Sequence, residues 1–372
     1  MIIFRKIVFW SHLVVGLLSA TFVLLLCLTG ALLAFELQIL VWAEHDVRAA
    51  PPTPDAHFLS ADEIIREAKK VTNERITFIQ WYADKASPAH ISTDKQTTLK
   101  LNPYTGEFLG HGASGLRGCM RWVTELHTHL TIKDWGHWLV GSANLAFAFL
   151  LISGLWLWWP KAWSWISLRH SVKPQWGLSG KARDWNWHNT LGFWLLPFLL
   201  TISLTGIVLA FSPVDQWWRK FGGAEVLAPA TAPIRPMRQA EPTTSWPAWV
   251  RRISQEHPGW SSLVVHGENA IAKAPLLTVQ VLRGTIRQSR QTMELRLDLA
   301  QGQILEERDW NTSDGKQRAR NVVRTGHTGE LFGNWGQLFA CLACIGGLVI
   351  IYTGMALSWR RLFKKSGGAE TL

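Results

Sequence analysis

Four of the thirteen histidines in this chain stand at repeated positions. His12-Leu-Val-Val-Gly16, followed by Leu28-Thr29-Gly30 and Ala34-Phe35, recurs as His188-Asn-Thr-Leu-Gly192, Leu204-Thr205-Gly206 and Ala210-Phe211, always 176 residues later. His127-Thr128, Trp135-Gly136, Ser153-Gly154 and Trp159 recur as His327-Thr328, Trp335-Gly336, Thr353-Gly354 and Trp359, always 200 residues later. A neutral imidazole offers one nitrogen lone pair while its other nitrogen holds a proton, which makes it a metal ligand. Two matched pairs of such groups on a chain written twice are suited to hold something on the axis between its halves.

The elements that position them are apolar. Stretches near 7–42, 138–159, 188–212 and 331–359 are nearly uncharged, and each reaches the ~20 residues that a spanning helix needs. The chain therefore reads as a first transmembrane helix within 1–42, a polar region at 43–136, a second helix at 137–160, a loop at 161–187, a third helix at 188–212, a polar region at 213–330, a fourth helix at 331–361 and a tail at 362–372. Arg5 and Lys6, then Lys161, Arg169, Lys173, Lys181 and Arg183, then Arg360, Arg361, Lys364 and Lys365 flank alternate helix ends. The excess of positive charge puts those ends and both termini in the cytoplasm of a bacterial inner membrane, and the two polar regions in the periplasm. The net charge of +11 is partly this bias, and it points to membrane lipid rather than nucleic acid. Tryptophans clustered at helix ends fit an interfacial belt.

The polar regions carry patterns of their own. Ser60-Ala-Asp-Glu63 has the cap and acid of a helix start. Residues 76–81, 90–93 and 97–101 alternate as strands, and Asn102 to Gly106 forms a turn. After a Pro-rich linker from Pro229 to Pro247, a helix at 246–256, strands at 261–266, 276–283 and 293–299, and a second such turn from Asp298 to Gly302 repeat the plan. Each region reads as a small helix-plus-sheet module. Cys341-Leu-Ala-Cys344, inside an apolar helix without a second pair, reads as two small packing residues. Thr29-Gly30 and Thr205-Gly206 read the same way, as sites of close helix approach.

The stretch Asn-Pro-Tyr-Thr-Gly-Glu-Phe-Leu-Gly at 102–110 resembles the end of a PepSY domain. Trp10-x-His12-x-x-x-Gly16, Leu126-His127, Trp187-His188-x-x-x-Gly192 and His327-Thr-Gly-Glu-Leu-Phe-Gly333 resemble the PepSY-associated transmembrane helix family. The resemblance covers nearly the whole chain. It implies a membrane α-helical fold: a four-helix transmembrane bundle from a tandem duplication, with two periplasmic α+β PepSY-like modules. Members of the family include ferric-siderophore reductases of the ferrioxamine type that carry b-type haems, and others without a settled function, so membership alone does not select the substrate.

The residues themselves lead to haem by a second route. His12 and His188 open helices one and three at the cytoplasmic face, and His127 and His327 precede helices two and four at the outer face. A planar group with two axial ligands suits each pair, and bundle walls suit a porphyrin. No Cys-x-x-Cys-His occurs, so the haems, two per chain, are expected to be non-covalent. Zinc or copper is the lesser alternative, because no cysteine or carboxylate accompanies the pairs. His129 competes with His127 as the outer ligand, and His137 lies nearby. Arg117, Arg121, Trp122 and Arg324 lie close to the outer histidines and are candidates to line a substrate site. The expected activity is reduction of a periplasmic ferric siderophore with electrons from an external donor, a quinol or a cytoplasmic reductase. The alternatives are a haem b electron-transfer subunit for a partner enzyme, or a PepSY-type regulator that binds a peptide or protease.

Overall fold

A computed structural model describes residues 2–53, 55–159, 172–221, 245–267, 276–283, 292–299, 301–312 and 315–363. The basic residues Lys161 and Arg169, the Pro-rich linker up to 244 and the tail from 364 lie outside the described residues. The described helices are α1 (Ile2–Leu33), α2 (Glu36–Ala43), α3 (Ala61–Ala68), α4 (Ser114–His129), α5 (Gly136–Trp158), α6 (Gly180–Ala210), α7 (Ser212–Phe221), α8 (Trp246–Glu256), α9 (Gly315–Thr328) and α10 (Gly333–Phe363). They fall into two compact units: one takes the described residues of 2–36, 120–221 and 319–363, the other those of 37–119 and 245–318.

The first unit is a helical bundle. α1, α5, α6 and the helical stretch ending in α10 are long and apolar enough to cross a membrane. They are apolar all round, as spanning helices must be: Leu18, Leu145 and Ile152 are exposed, whereas Leu151, Leu199 and Ala343 are buried inward. α1 packs against α5 and α10, and α6 packs against the same two, so α1 and α6 occupy opposite corners. Small residues let the helices approach. A Cβ on Gly347 of α10 would come within 2.9 Å of Cys27 Sγ on α1, and one on Gly30 of α1 within 3.3 Å of Cys344 Sγ on α10. The bundle has a terminal end, where α1 begins and α10 finishes, and a loop end. At the terminal end the fully buried Asp184 carboxylate pairs with Arg183 and with Arg360, joining α6 to α10. Glu36 starts α2, after α1 has ended.

At the loop end, α4 and α9 are helices that the sequence pattern had left without an element. A tight turn joins each to the following span. A Cβ on Gly136 would fall 1.8 Å from the His129 carbonyl oxygen, and one on Gly336 would fall 2.1 Å from that of Gly329. Only glycine tolerates this approach of backbone to backbone.

The second unit is built on one sheet. Its strands are β1 (Ile76–Tyr82), β2 (Ala89–Thr93), β3 (Thr98–Leu101), β4 (Phe108–Gly110), β5 (Trp260–His266), β6 (Leu276–Arg283), β7 (Thr292–Asp298) and β8 (Gln303–Arg308), in the order β4-β3-β2-β1-β5-β6-β7-β8. The two segments expected as separate modules thus share eight strands, because β1 pairs antiparallel with β5 through Ile79↔Val265 and Trp81↔Leu263. Alternation puts Ile79, Trp81, Ile91, Leu99, Leu263, Val265, Val279 and Leu295 on one face. α3 and α8 cover that face with Ile64, Ala68, Trp249 and Ile253. α3 opens with the expected capping box between Ser60 and Glu63. Both turns close as read: Asn102 Oδ1 accepts from the Tyr104 amide at 2.9 Å, Asp298 Oδ1 accepts from that of Gln301 at 3.0 Å, and Gly106 and Gly302 take positive φ.

A buried ion triad pins this unit. The Glu44 carboxylate accepts from Arg117 Nε and Nη2 at 2.6 and 2.7 Å, and from the Ala113 amide at 3.2 Å. Lys100 Nζ of β3 lies 2.8 Å from Glu44 Oε2, the oxygen that also accepts from Arg117 Nη2. Arg117 is thereby committed to Glu44. Burial alone pushes the Glu44 carboxyl up, but the hydrogen bonds and charges of Arg117 and Lys100 outweigh it and hold the group at about 2. Its folded value lies below its unfolded one, so its contribution to stability is present above ~4.3 and is lost as pH falls towards 2. Glu44→Ala leaves two buried cations without their partner and should destabilise the fold by about 3–5 kcal/mol at pH 7. Thermal unfolding of the detergent-solubilised chain, followed by circular dichroism, should also show the gap between wild type and variant narrowing from pH 5 to pH 2. A gap that is small at pH 7 would remove the triad as a stabilising feature.

Candidate metal centres

At the terminal end, His12 of α1 reaches across to α5. Its Nδ1 lies 2.8 Å from Ser153 Oγ. A Cβ added to Gly154 would sit 3.4 Å from His12 Cε1, so the ring lies on the backbone of α5. His188 of α6 does the same on α10: Nδ1 lies 3.0 Å from Ile350 O and 3.2 Å from Thr353 Oγ1, and a Cβ on Gly354 would come within 3.0 Å of its Cε1.

At the loop end the donors come from α4 and α9. His127 Nδ1 is 2.7 Å from Thr29 Oγ1 of α1, and its Cε1 would meet a Cβ on Gly30 at 3.4 Å. His327 Nδ1 is 2.9 Å from Ile202 O and 3.2 Å from Thr205 Oγ1 of α6, with its Cε1 3.2 Å from a Cβ on Gly206. The His127 and His327 ring centroids are 6.2 Å apart, with planes at 56°.

One hydrogen-bonding arrangement recurs at all four. Ser153, Thr29, Thr205 and Thr353 each donate their single hydroxyl proton back along their own helix, to Phe149 O, Leu25 O, Thr201 O and Val349 O at 2.6–2.8 Å. The hydroxyl is left with lone pairs only, so it accepts from the imidazole. The carbonyls of Ile202 and Ile350 can only accept as well. All four rings therefore carry their proton on Nδ1 and present the Nε2 lone pair. Among the described residues no hydrogen bond engages any of these four Nε2 atoms. Burial, with a smaller contribution from His327, lowers His127 to about 4, and burial lowers His327, so both stand neutral at pH 7.

The donor set can be matched to an occupant. Two imidazoles clasping one ion need ~2 Å for each metal–nitrogen bond and ~1 Å from each nitrogen to its ring centre, ~6 Å in all. The 6.2 Å between His127 and His327 meets this. Among the described residues no group of three or more His, Cys, Asp or Glu is placed to hold a metal ion. A zinc site needs at least three such ligands, whereas haem iron takes four from its macrocycle and two from the protein. At the terminal end two buried indole N–H groups, Trp158 Nε1 and Trp187 Nε1, have no hydrogen-bond partner among the described residues. Both are donors that suit the carboxylates of a haem. From His12 to Thr29 along α1, and from His188 to Thr205 along α6, is about 25 Å. The apolar residues Leu151, Leu199 and Ala343, with Phe147, Leu195 and Ile350 packed on them, pack together inside the bundle.

The four sequence candidates thus fall where an imidazole is seated by a hydroxyl and a glycine. His129 does not join them: its ring faces His137, 6.4 Å away. Trp122 and Arg324 are exposed. Thr29-Gly30 and Thr205-Gly206 are sites of close helix approach, as expected, and they also seat histidines, as do Ser153-Gly154 and Thr353-Gly354. Their repetition at the same offsets as the histidines was the available signal.

Residues 9–361 match the family model of the PepSY-associated TM region, and the chain belongs to that family. No curated protein matches it.

The fixed tautomer is directly measurable. In ¹⁵N-histidine spectra of the purified protein at pH 7, the four ring systems should show a protonated Nδ1 and no protonated Nε2. Thr29→Val should release His127 alone from this pattern, and Ser153→Ala should release His12 alone. An Nε2-protonated ring at any of the four positions contradicts the hydroxyl argument.

Proposed function

We propose that the chain is a di-haem b oxidoreductase of the bacterial inner membrane that passes electrons across the membrane to a periplasmic ferric siderophore and releases ferrous iron. The observation that carries this reading is the pair of two-histidine centres at opposite ends of one bundle, each imidazole held in the ligating tautomer. His12 and His188 would hold one haem, and His127 and His327 the other. Haem iron, when bound, supplies one-electron redox chemistry.

The remaining parts of the reading rest on this chain's residues. The Nδ1–H bonds to Ser153, Thr29, Thr205 and Thr353 orient the rings and raise the basicity of Nε2. The residues packed around Leu151, Leu199 and Ala343 are apolar, which favours electron passage over ion transport. The basic flanks favour a cytoplasmic His12/His188 end, with both termini there, and a periplasmic His127/His327 end. The tandem repeat supplies the pseudo-two-fold relation between the halves. Hard oxygen chelators hold ferric iron, and adding one electron gives the softer ferrous ion, which they hold less well. The donor is external, a quinol or a cytoplasmic reductase. Each quinol brings two electrons, enough for two ferric ions, and gives up two protons.

The detergent-purified protein should contain two haems b per chain by pyridine haemochrome assay. His12→Ala and His188→Ala should each lose the terminal-end haem and keep the other, whereas His127→Ala and His327→Ala should do the reverse. A haem-free protein overturns the reading and favours a PepSY-type regulator. Under anaerobic conditions with a ferrous trap, the reduced protein should be reoxidised by ferrioxamine-type, catecholate or ferric-citrate chelates, and His327→Ala should abolish this. Haems that stay reduced with every chelate would reassign the chain as an electron-transfer subunit for a partner enzyme.

A further inference from the structure

Arg117, Arg121, Trp122 and Arg324 are candidate substrate contacts near the loop-end centre, and the structure divides them. The Arg117 fork is held by the Glu44 carboxylate, and Arg121 is not free either. Arg324 is exposed on α9, and Arg320, one turn earlier, is exposed with it. Among the described residues neither guanidinium has a hydrogen-bond or ion-pair partner. Both stand beside the outer histidine. Arg324 precedes His327 by three residues and Arg320 by seven, so helical periodicity puts both within about 60° of it around α9. They lie about 5 and 10 Å from it along the axis. The buried stripe of Ala319 and Val323 runs alongside.

Packing does not account for this pair. Like charges four apart on a helix repel, and α9, with Lys316, Arg318, Arg320 and Arg324, has no acidic residue to offset them. The matching positions of α4 are Met120 and Thr124. Met120 is buried, and Thr124 Oγ1 donates to Met120 O at 3.0 Å. The first half thus forms the same helix with no cation at either place. On the orientation favoured above, α9 also lies on the side where positive charge near a span is sparse. Anionic lipid draws basic segments to the opposite side.

We propose that Arg320 and Arg324 form a docking face for a ferric chelate of net negative charge, beside the His127/His327 centre. Two exposed guanidiniums offer forked donors and fixed charge to catecholate or carboxylate oxygens. A tricatecholate complex of iron(III) is an anion, a trihydroxamate complex is neutral, and one with a free amine is a cation. The pair that attracts the first repels the last, so charge sets the order among chelates. This names the substrate class of the function proposed above and takes its purpose from that reading, but the binding itself does not depend on haem.

The test puts gallium(III) in place of iron(III), an ion of the same charge that the haems do not reduce. Calorimetry of the full-length protein in a neutral detergent at low salt should show binding of the gallium tricatecholate. Arg320→Gln/Arg324→Gln should weaken it about tenfold, and added salt should weaken it in wild type. The neutral gallium trihydroxamate should not distinguish wild type from this variant. Arg66→Gln/Arg251→Gln removes as much charge from exposed positions of the other unit and should leave binding unchanged. No binding, equal binding by wild type and the Arg320→Gln/Arg324→Gln variant, or an equal loss in the control variant overturns the proposal. So does loss of the loop-end haem from the Arg320→Gln/Arg324→Gln variant, which would give these arginines to the cofactor's own carboxylates. Binding by a haem-free protein would keep the docking face and remove the reductase reading. Haems reoxidised by every ferric chelate, at rates that ignore its charge and the variant, would keep the reading and remove the face.

Discussion

An imidazole placed among apolar helices has one N–H that must find an acceptor, and the bundle is arranged around meeting that need four times. A backbone carbonyl alone is rarely accessible, because helices consume their own. A serine or threonine solves this by returning its proton to the preceding turn and offering its lone pairs sideways, so it adds no unsatisfied group of its own. The ring must then lie flat on the helix that carries the hydroxyl, and the next residue stands directly beneath it. A side chain there would come within 3.0–3.4 Å of Cε1 at all four positions. Hence the Ser/Thr-Gly dipeptide. The same need fixes which helices neighbour each other: α1 must touch α5 to seat His12, and α6 must touch α10 to seat His188. α1 and α6 each carry a histidine near one end and a seat near the other, so these two helices join both centres.

Much of this was legible in the sequence because two signals were redundant. The spans are set by long apolar runs, and the four histidines by their fixed offsets. The strands, the capping box at Ser60 and the glycine turns at Gly106 and Gly302 follow from local chemistry, and they stand close to where the pattern put them. α4 and α9 escaped notice for a physical reason. Gly115, Gly118 and Gly326 lower their helix propensity, and each buries only a thin stripe: Met120 and Val123 on α4, Ala319 and Val323 on α9. Those stripes continue in helical steps to His127 and His327. The joining of two modules into one sheet was also out of reach, since the β1–β5 pairing links residues nearly two hundred positions apart and depends on no turn. The Arg117–Glu44 pairing was out of reach as well, since nothing local to Arg117 marks a partner 73 residues earlier.

The two halves differ most where only packing is at stake. At the α1–α10 crossing Cys27 and Cys344 fill the space over Gly347 and Gly30. The equivalent α5–α6 crossing has Asn144 and Ser203, with Ser203 Oγ donating to Asn144 O at 2.9 Å. Sulfur in one crossing and a hydrogen bond in the other serve the same close approach. At the terminal end α6 is tied to α10 by Asp184 and Arg360, whereas Val8 stands in the place of Asp184 on α1, and Arg5 instead donates to Leu157 O at 2.7 Å near the end of α5. Interchangeable solutions are what packing permits. An imidazole seat permits fewer: the hydroxyl can be serine or threonine, and any residue larger than glycine beside it would crowd the ring at 3.0–3.4 Å. Agreement between the halves at those positions and divergence around them therefore sorts the residues by how narrow their physical task is.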